Sequence, residues 1–231
     1  MFKGILGECP YKSPTDMGVN MAGFCIYDDE AVCAAARQEI IRRYYNALCN
    51  RRQGANNDVE VNKIEMLIQQ LSISIENERR SVSAALKRAE ETGAPAAAIE
   101  LRDGRIVTGK TSALLGASSA ALLNALKALA GIDKDTDVIS HEILEPIQHL
   151  KTAHLGNHNP RLHTDEVLIA LAVSAANSEN ARRALGAIDA LRGSEVHSTV
   201  ILSQVDTSTF RKLGMHLSCE AAYQTKKLFH R

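Results

Sequence analysis

Apolar residues recur at three-to-four spacing through the first third of the chain. Asp28 or Asp29 can cap a first helix, whose face Val32, Ala35, Ala36, Ile40, Tyr44 and Leu48 mark as far as about Arg52. Gly54-Ala55-Asn56-Asn57 interrupts the pattern, and Val61, Ile64, Leu67, Ile68 and Leu71 mark a second helix. A third is predicted over 76–91, with Val82, Ala85, Leu86 and Ala89 inward and Gly93 as its C-terminal stop. Residues 1–93 are therefore expected to form a mainly helical subdomain.

The pattern changes at Gly93-Ala94-Pro95. Two apolar runs, 96–101 and 105–109, flank Arg102-Asp103-Gly104, and an Asp-Gly between such runs predicts a β-hairpin. Residues 118–130, rich in Ala and Leu, read as a buried helix stopped by Gly131. Val138 and Ile139 suggest a short strand. Ser140 can cap a helix to about Leu150, which Pro146 is expected to bend or divide. Thr164 is read as the cap of an apolar helix over 167–176, and Ser178 as the cap of another ending near Arg192. Residues 196–203 form the clearest strand; Asp206 caps a short helix ended by Gly214, and 215–219 is a last strand. The class that follows is α/β, with 94–231 a mixed-sheet α/β sandwich behind the helical subdomain.

Bulk properties narrow the partners. Lys+Arg and Asp+Glu both number 27, so there is no cationic excess of the kind that nucleic acid or an acidic membrane surface attracts. Aromatic residues are 4% with no Trp, which argues against base-stacking platforms. The five cysteines form no CxxC pair, no basic-then-apolar leader pattern opens the chain, and no run of 18 apolar residues occurs. A cytoplasmic protein with reduced thiols is expected.

Candidate chemistry lies in three polar stretches. The first, Ser13-Pro14-Thr15-Asp16-Met17-Gly18-Val19-Asn20, offers Ser13, Thr15, Asp16 and Asn20 as ligand-binding groups. In the second, Asn159 to Glu166, Arg161 is a fork-shaped donor for carboxylate or phosphate, and His163 stands before a helix start that favours anions. Glu166 lies in the first turn of that helix, and a purely structural N-terminus explains the same residues equally well. In the third, Glu195 and His197 share one face of a strand, so His163 or His197 could act as general acid or base with Glu166 or Glu195 as orienting partner. A buried histidine satisfied by a carboxylate would look the same.

Two further patterns weigh less. Gly104-Arg105-Ile106-Val107-Thr108-Gly109-Lys110-Thr111 fits the phosphate-loop consensus by letter. Its β-branched centre and the preceding Asp-Gly make it the return arm of a hairpin, which leaves Lys110 as an exposed cation able to meet an anion. His141, Glu145 and His149 are spaced along one helix face, but Pro146 and the absence of HExxH argue for chance, so no metal site is expected.

The polar stretches carry a family resemblance. Ile5-Leu6-Gly7, Pro10-Tyr11, residues 13–21, Gln38 to Tyr45, Ile106 to Lys110, His154-Leu155-Gly156, Asn159 to His163, Gly193-Ser194-Glu195 and His197-Ser198-Thr199 resemble the bacterial uncharacterised protein family 0371, also called domain of unknown function 1846. Family members are about twice this length, and this chain looks like their C-terminal half. The resemblance implies a helical subdomain followed by an α/β subdomain similar in topology to cytidine deaminases. Zinc deamination itself is not implied: Ala117-Ser118-Ser119-Ala120 stands where the His-x-Glu would fall, and no P-C-x-x-C exists.

Three functions are weighed, with no cofactor indicated. The favoured one is the ligand-binding and assembly half of a larger nucleotide- or anion-binding protein, with Arg161, His163, His197 and Lys110 around the anion and Asn159 among the contacts. The second is a self-sufficient enzyme acting on an anionic metabolite. The third is a homo-oligomerisation module.

Overall fold

The computed structural model describes residues 29–224, and these fall into two compact units divided between Arg79 and Arg80. In the first unit lie α1 (Asp29–Arg52), α2 (Asp58–Gln70) and the one-turn α3 (Ile75–Glu78). Helix α1 opens on Asp29 and Glu30 and closes on Arg51 and Arg52, charges that complement its dipole. It buries Ala36, Ile40, Ile41, Tyr45 and Ala47, and α2 buries Val61 and Ile64.

The single helix expected over 76–91 is broken. Helix α3 ends at Glu78, Arg79 takes φ −127° and ψ 77°, and α4 (Arg80–Thr92) begins in the second unit. The cause is tertiary. The fully buried Arg79 donates Nη1 to Gln38 Oε1 at 3.1 Å, and the Gln38 amide meets the carbonyl of Glu78. Leu86, expected inward, is 44% exposed. Val82 and Ala85 are buried as expected, with Ser81 beside them, a small-residue face that suits the Ala-rich strand it packs on.

In the second unit, β1 (Ala96–Glu100) and β2 (Ile106–Lys110) form the expected hairpin, Ala96 opposite Lys110 and Glu100 opposite Ile106. Gly104 turns the chain at φ +82°, and Asp103 Oδ1 accepts from the Arg105 amide at 3.0 Å. Next come α5 (Ala117–Leu129) and α6 (His141–His149), which contains Pro146 yet runs unbroken into a π-helical turn, Leu150–His154. Then follow α7 (Thr164–Ser174), α8 (Glu179–Gly186), a 3-10 turn, β3 (Glu195–Ser198), α9 (Gln204–Lys212) and β4 (His216–Cys219).

The sheet is four-stranded and mixed, in the order β2-β1-β3-β4. Strand β1 is antiparallel to both neighbours, and β3 and β4 are parallel. The mixed α/β class is thus as read from sequence. Two strand expectations change. Val138 and Ile139 form a bend and are apolar because they plug the core. Strand β3 stops at Ser198, whose hydroxyl donates to Val200 O and accepts from Val200 N, turning the chain out of the ladder.

The core lies on one face of the sheet, where Ala97, Ile99 and Val196 meet Leu122 and Leu126 of α5, Val167 and Leu171 of α7, and Phe210 of α9. Burying each of these large side chains contributes about 1.5–3 kcal/mol. Alternation along the strands sends Ala96, Ala98 and His197 to the opposite face, with α4. No helix among the described residues is long and apolar enough to cross a membrane.

Candidate functional site

The start of α7 is a densely connected polar region of the second unit. His163, rather than Thr164, is the cap residue, extended at φ −77° and ψ 169°. Glu166 reaches back so that its Oε2 accepts from the His163 amide at 2.7 Å. The same oxygen accepts from Lys151 Nζ at 2.7 Å, and the Lys151 ammonium also donates to the Arg161 carbonyl at 2.7 Å. Lys151 is buried and comes from the π-helical turn, so that irregular turn delivers a cation to the base of the loop.

On the other side stands Asp206, in the first turn of α9 and 5% exposed. Its Oδ1 accepts from the amide and the hydroxyl of Thr164, both at 2.9 Å. Its Oδ2 faces His163 Nδ1 at 3.0 Å and accepts from Ser203 Oγ at 2.8 Å. Ser203 caps α9 by accepting from the Asp206 amide at 3.1 Å. One carboxylate therefore closes the amino ends of two helices, whose dipoles both favour its charge.

The hydrogen bond to Asp206 raises the His163 pKa above its ordinary 6.5, against the opposing effect of burial. Burial pushes the Asp206 carboxyl upward, but the hydrogen bonds from His163, Thr164 and Ser203 outweigh it and hold the pKa below 3.8. Both shifts favour an imidazolium beside a carboxylate.

With Ser203 the pair does not make a nucleophile triad. Such a triad puts the carboxylate and the hydroxyl on opposite ring nitrogens. Here Ser203 Oγ lies 3.3 Å from the same Nδ1 that faces Asp206.

Arg161 sits on the loop ahead of this cluster. Its amide donates to Asn159 Oδ1 at 3.2 Å, and the Asn159 amide donates to Asn157 Oδ1 at 2.9 Å; these two side-chain-closed turns shape the loop. Its Nε donates to Ser112 O at 2.9 Å. The two terminal guanidinium nitrogens have no partner among the described residues. Lys110 is the exposed last residue of β2, two positions before Ser112, and likewise lacks an acidic partner there. A hollow of about 620 Å³ opens between Asp165 and α9, with Arg211 and Lys212 in its wall.

The third polar stretch goes elsewhere. His197 is fully buried on the α4 face of β3, with Nδ1 2.9 Å from Ser218 Oγ and Nε2 3.2 Å from Glu220 Oε1. The carboxylate facing its ring thus belongs to Glu220. Glu195 stands in register with Glu100 and His216. Ser13, Thr15, Asp16 and Asn20 lie outside the described residues. The phosphate-loop letters are strand, and Gly109 is required by packing: a Cβ there would lie 2.2 Å from the Ala121 nitrogen of α5. His141 and Glu145 approach to 3.9 Å on an unbroken helix. Among the described residues no group of three His, Cys, Asp or Glu side chains is placed to hold a metal ion.

Sequence reasoning missed Lys151 and Ser203 and gave Asp206 only a capping role. The signal was there in part, since Ser203-x-x-Asp206 is a capping-box pattern.

Residues 77–229 match the family model described as domain of unknown function DUF1846, C-terminal, and residues 1–72 match that of DUF1846, N-terminal. The whole chain is 56% identical to the UPF0371 protein of Corynebacterium glutamicum strain R, covering 46% of that protein. It is 56% identical to the UPF0371 protein of Corynebacterium efficiens, again over 46% of its length. Against the UPF0371 protein of Streptococcus thermophilus strain LMD-9 the identity is 52%, over 47% of its length. The chain spans about half the length of these curated relatives.

Proposed function

This chain belongs to the DUF1846 (UPF0371) family, and we propose that it forms the anion-binding part of a longer protein, with Arg161 as the principal contact. What supports the reading is the state of that guanidinium. It is anchored through Nε to Ser112 O, and its two terminal nitrogens are left without a carboxylate among the described residues. Two donors in a fixed fork match a carboxylate or a phosphate. The start of α7 lies three residues on, and its dipole favours the same charge. His163 adds a cation held in place by Asp206, and Lys110 stands close in the chain to the Ser112 anchor. The ligand class is a small phosphorylated or carboxylated molecule.

The finer parts of the reading have separate supports. A hairpin, a helix and then two parallel strands joined by α9 support a likeness to cytidine deaminase topology. Ile169 and Val173, one turn apart on α7 and 62% and 57% exposed, support an assembly contact.

A thermal-shift screen with pyrophosphate, nucleotides and dicarboxylates tests the proposal. A ligand at about 100 times its dissociation constant adds about 2.7 kcal/mol of stability. The expected result is a rise in melting temperature with at least one anion that disappears in Arg161→Ala, whose unliganded stability falls by about 0.5–1.5 kcal/mol with the loss of the Nε bond to Ser112 O. No rise with any anion, or an equal rise in the variant, would contradict it. Turnover of the same ligand, lost in His163→Gln, would extend the reading to proton transfer by the His163–Asp206 pair.

A further inference from the structure

Lys127 sits in the middle of α5 and is 8% exposed. An ammonium carries three donors. One goes to the Lys134 carbonyl, and among the described residues no carboxylate lies within ion-pair distance. A charge taken out of water without a counter-charge is costly. The residues around it form a pocket of about 290 Å³, near the lower end of the range that holds small ligands.

Half of the residues lining that pocket are aliphatic. Ala120, Leu123 and Lys127 lie on one stripe of α5, and Val138, Ile139 and Leu144 face them from the following loop and α6. Asn124 shares the lining but spends an amide N–H on Thr108 O at 2.8 Å. Lys134 and Asp137 also line the pocket, but both are exposed and no ion pair joins them, so the one buried charge in the lining is the Lys127 ammonium.

We propose that the Lys127 pocket binds a small aliphatic monocarboxylate, with the carboxylate on the Lys127 ammonium and the hydrocarbon body against Leu123, Val138, Ile139 and Leu144. One ammonium balances one carboxylate. A phosphate dianion would need a second committed cation, and it would leave the aliphatic walls without a partner. Arg161 does not line the pocket, although Ser112, whose carbonyl accepts from the Arg161 Nε, does; the Lys127→Met and Arg161→Ala variants separate this inference from the one above.

The test is methyl-detected NMR of the full 231-residue chain titrated with hexanoate, and in parallel with 1-hexanol and with inorganic phosphate. Saturable shifts of the Leu123, Val138, Ile139 and Leu144 methyls with hexanoate alone are expected. Binding should weaken at least tenfold in Lys127→Met, which keeps the stem and removes the charge. It should weaken also in Ala120→Leu, which narrows the pocket and leaves the charge, and stay unchanged in Arg161→Ala. Equal binding of hexanol, shifts with phosphate alone, no saturable shift with hexanoate, or undiminished hexanoate binding in Lys127→Met would each overturn the assignment. Should Lys127→Met fail to fold, the comparison of hexanoate with hexanol on the unaltered chain decides the question.

Discussion

Asp206→Ala is expected to cost about 3–5 kcal/mol of stability, because removing one partner of a buried ion pair strands the other charge. Four groups lose their acceptor at once: the Thr164 amide, the Thr164 hydroxyl, the His163 imidazole and the Ser203 hydroxyl. Asp206→Asn should cost less, since an amide oxygen can still accept from Thr164 and a neutral imidazole can accept from the new amide. Urea denaturation followed by circular dichroism measures both, the chain having no Trp to report by fluorescence.

The same pair sets a pH dependence. The His163 pKa is raised on folding, so its contribution is complete below the ordinary value of 6.5 and is lost as pH rises through the higher folded value. The Asp206 pKa is lowered, so its contribution is present above 3.8 and is lost as pH falls through the lower folded value. The gap between the parent chain and Asp206→Ala should therefore be widest between these two ordinary values and narrow on either side. It should not close above neutrality, because Thr164 and Ser203 still donate to the carboxylate there. A gap that widens steadily with rising pH would contradict the imidazolium.

Gly109→Ala is the second large effect. An added Cβ would lie 2.2 Å from Ala121 N and 2.7 Å from two further backbone atoms of α5, so the helix itself must move away from β2. Overpacking of this kind costs about 1–3 kcal/mol and occasionally more; with backbone on both sides, the upper end is expected. Gly186→Ala is the control. A Cβ there meets nothing within 4 Å at the end of α8, so the change should be neutral or stabilising by up to ~1 kcal/mol. Similar melting temperatures for the two variants would remove the close helix–strand approach as the reason for this glycine.

Local patterns made much of this fold readable. Helices α1 and α2 followed from apolar spacing, and the β1–β2 hairpin followed from Asp103-Gly104 between two apolar runs. What escaped depended on partners distant in sequence. The break at Arg79 depends on Gln38, 41 residues earlier, and Asp206 closes a helix that starts 42 residues before it. His197 shows the difference most simply. Its strand neighbour on the same face is Glu195, but residues two apart along a strand are about 6.6 Å apart. Directly opposed residues on adjacent strands approach to about 4.5–5.5 Å, and its register partner on β4 is Ser218, whose hydroxyl it meets. In the second stretch the residue types marked the loop as polar and capping, while the groups that hold it, Lys151, Ser203 and Asp206, were visible only once the chain was folded.

The most direct test of anion binding at the Arg161 loop is an NMR titration of the His163 imidazole, with and without pyrophosphate. The expected result is a pKa above 6.5 in the free protein, a further rise when pyrophosphate is present, and loss of that second increment in Arg161→Ala. A His163 titration that pyrophosphate leaves unmoved would contradict the site.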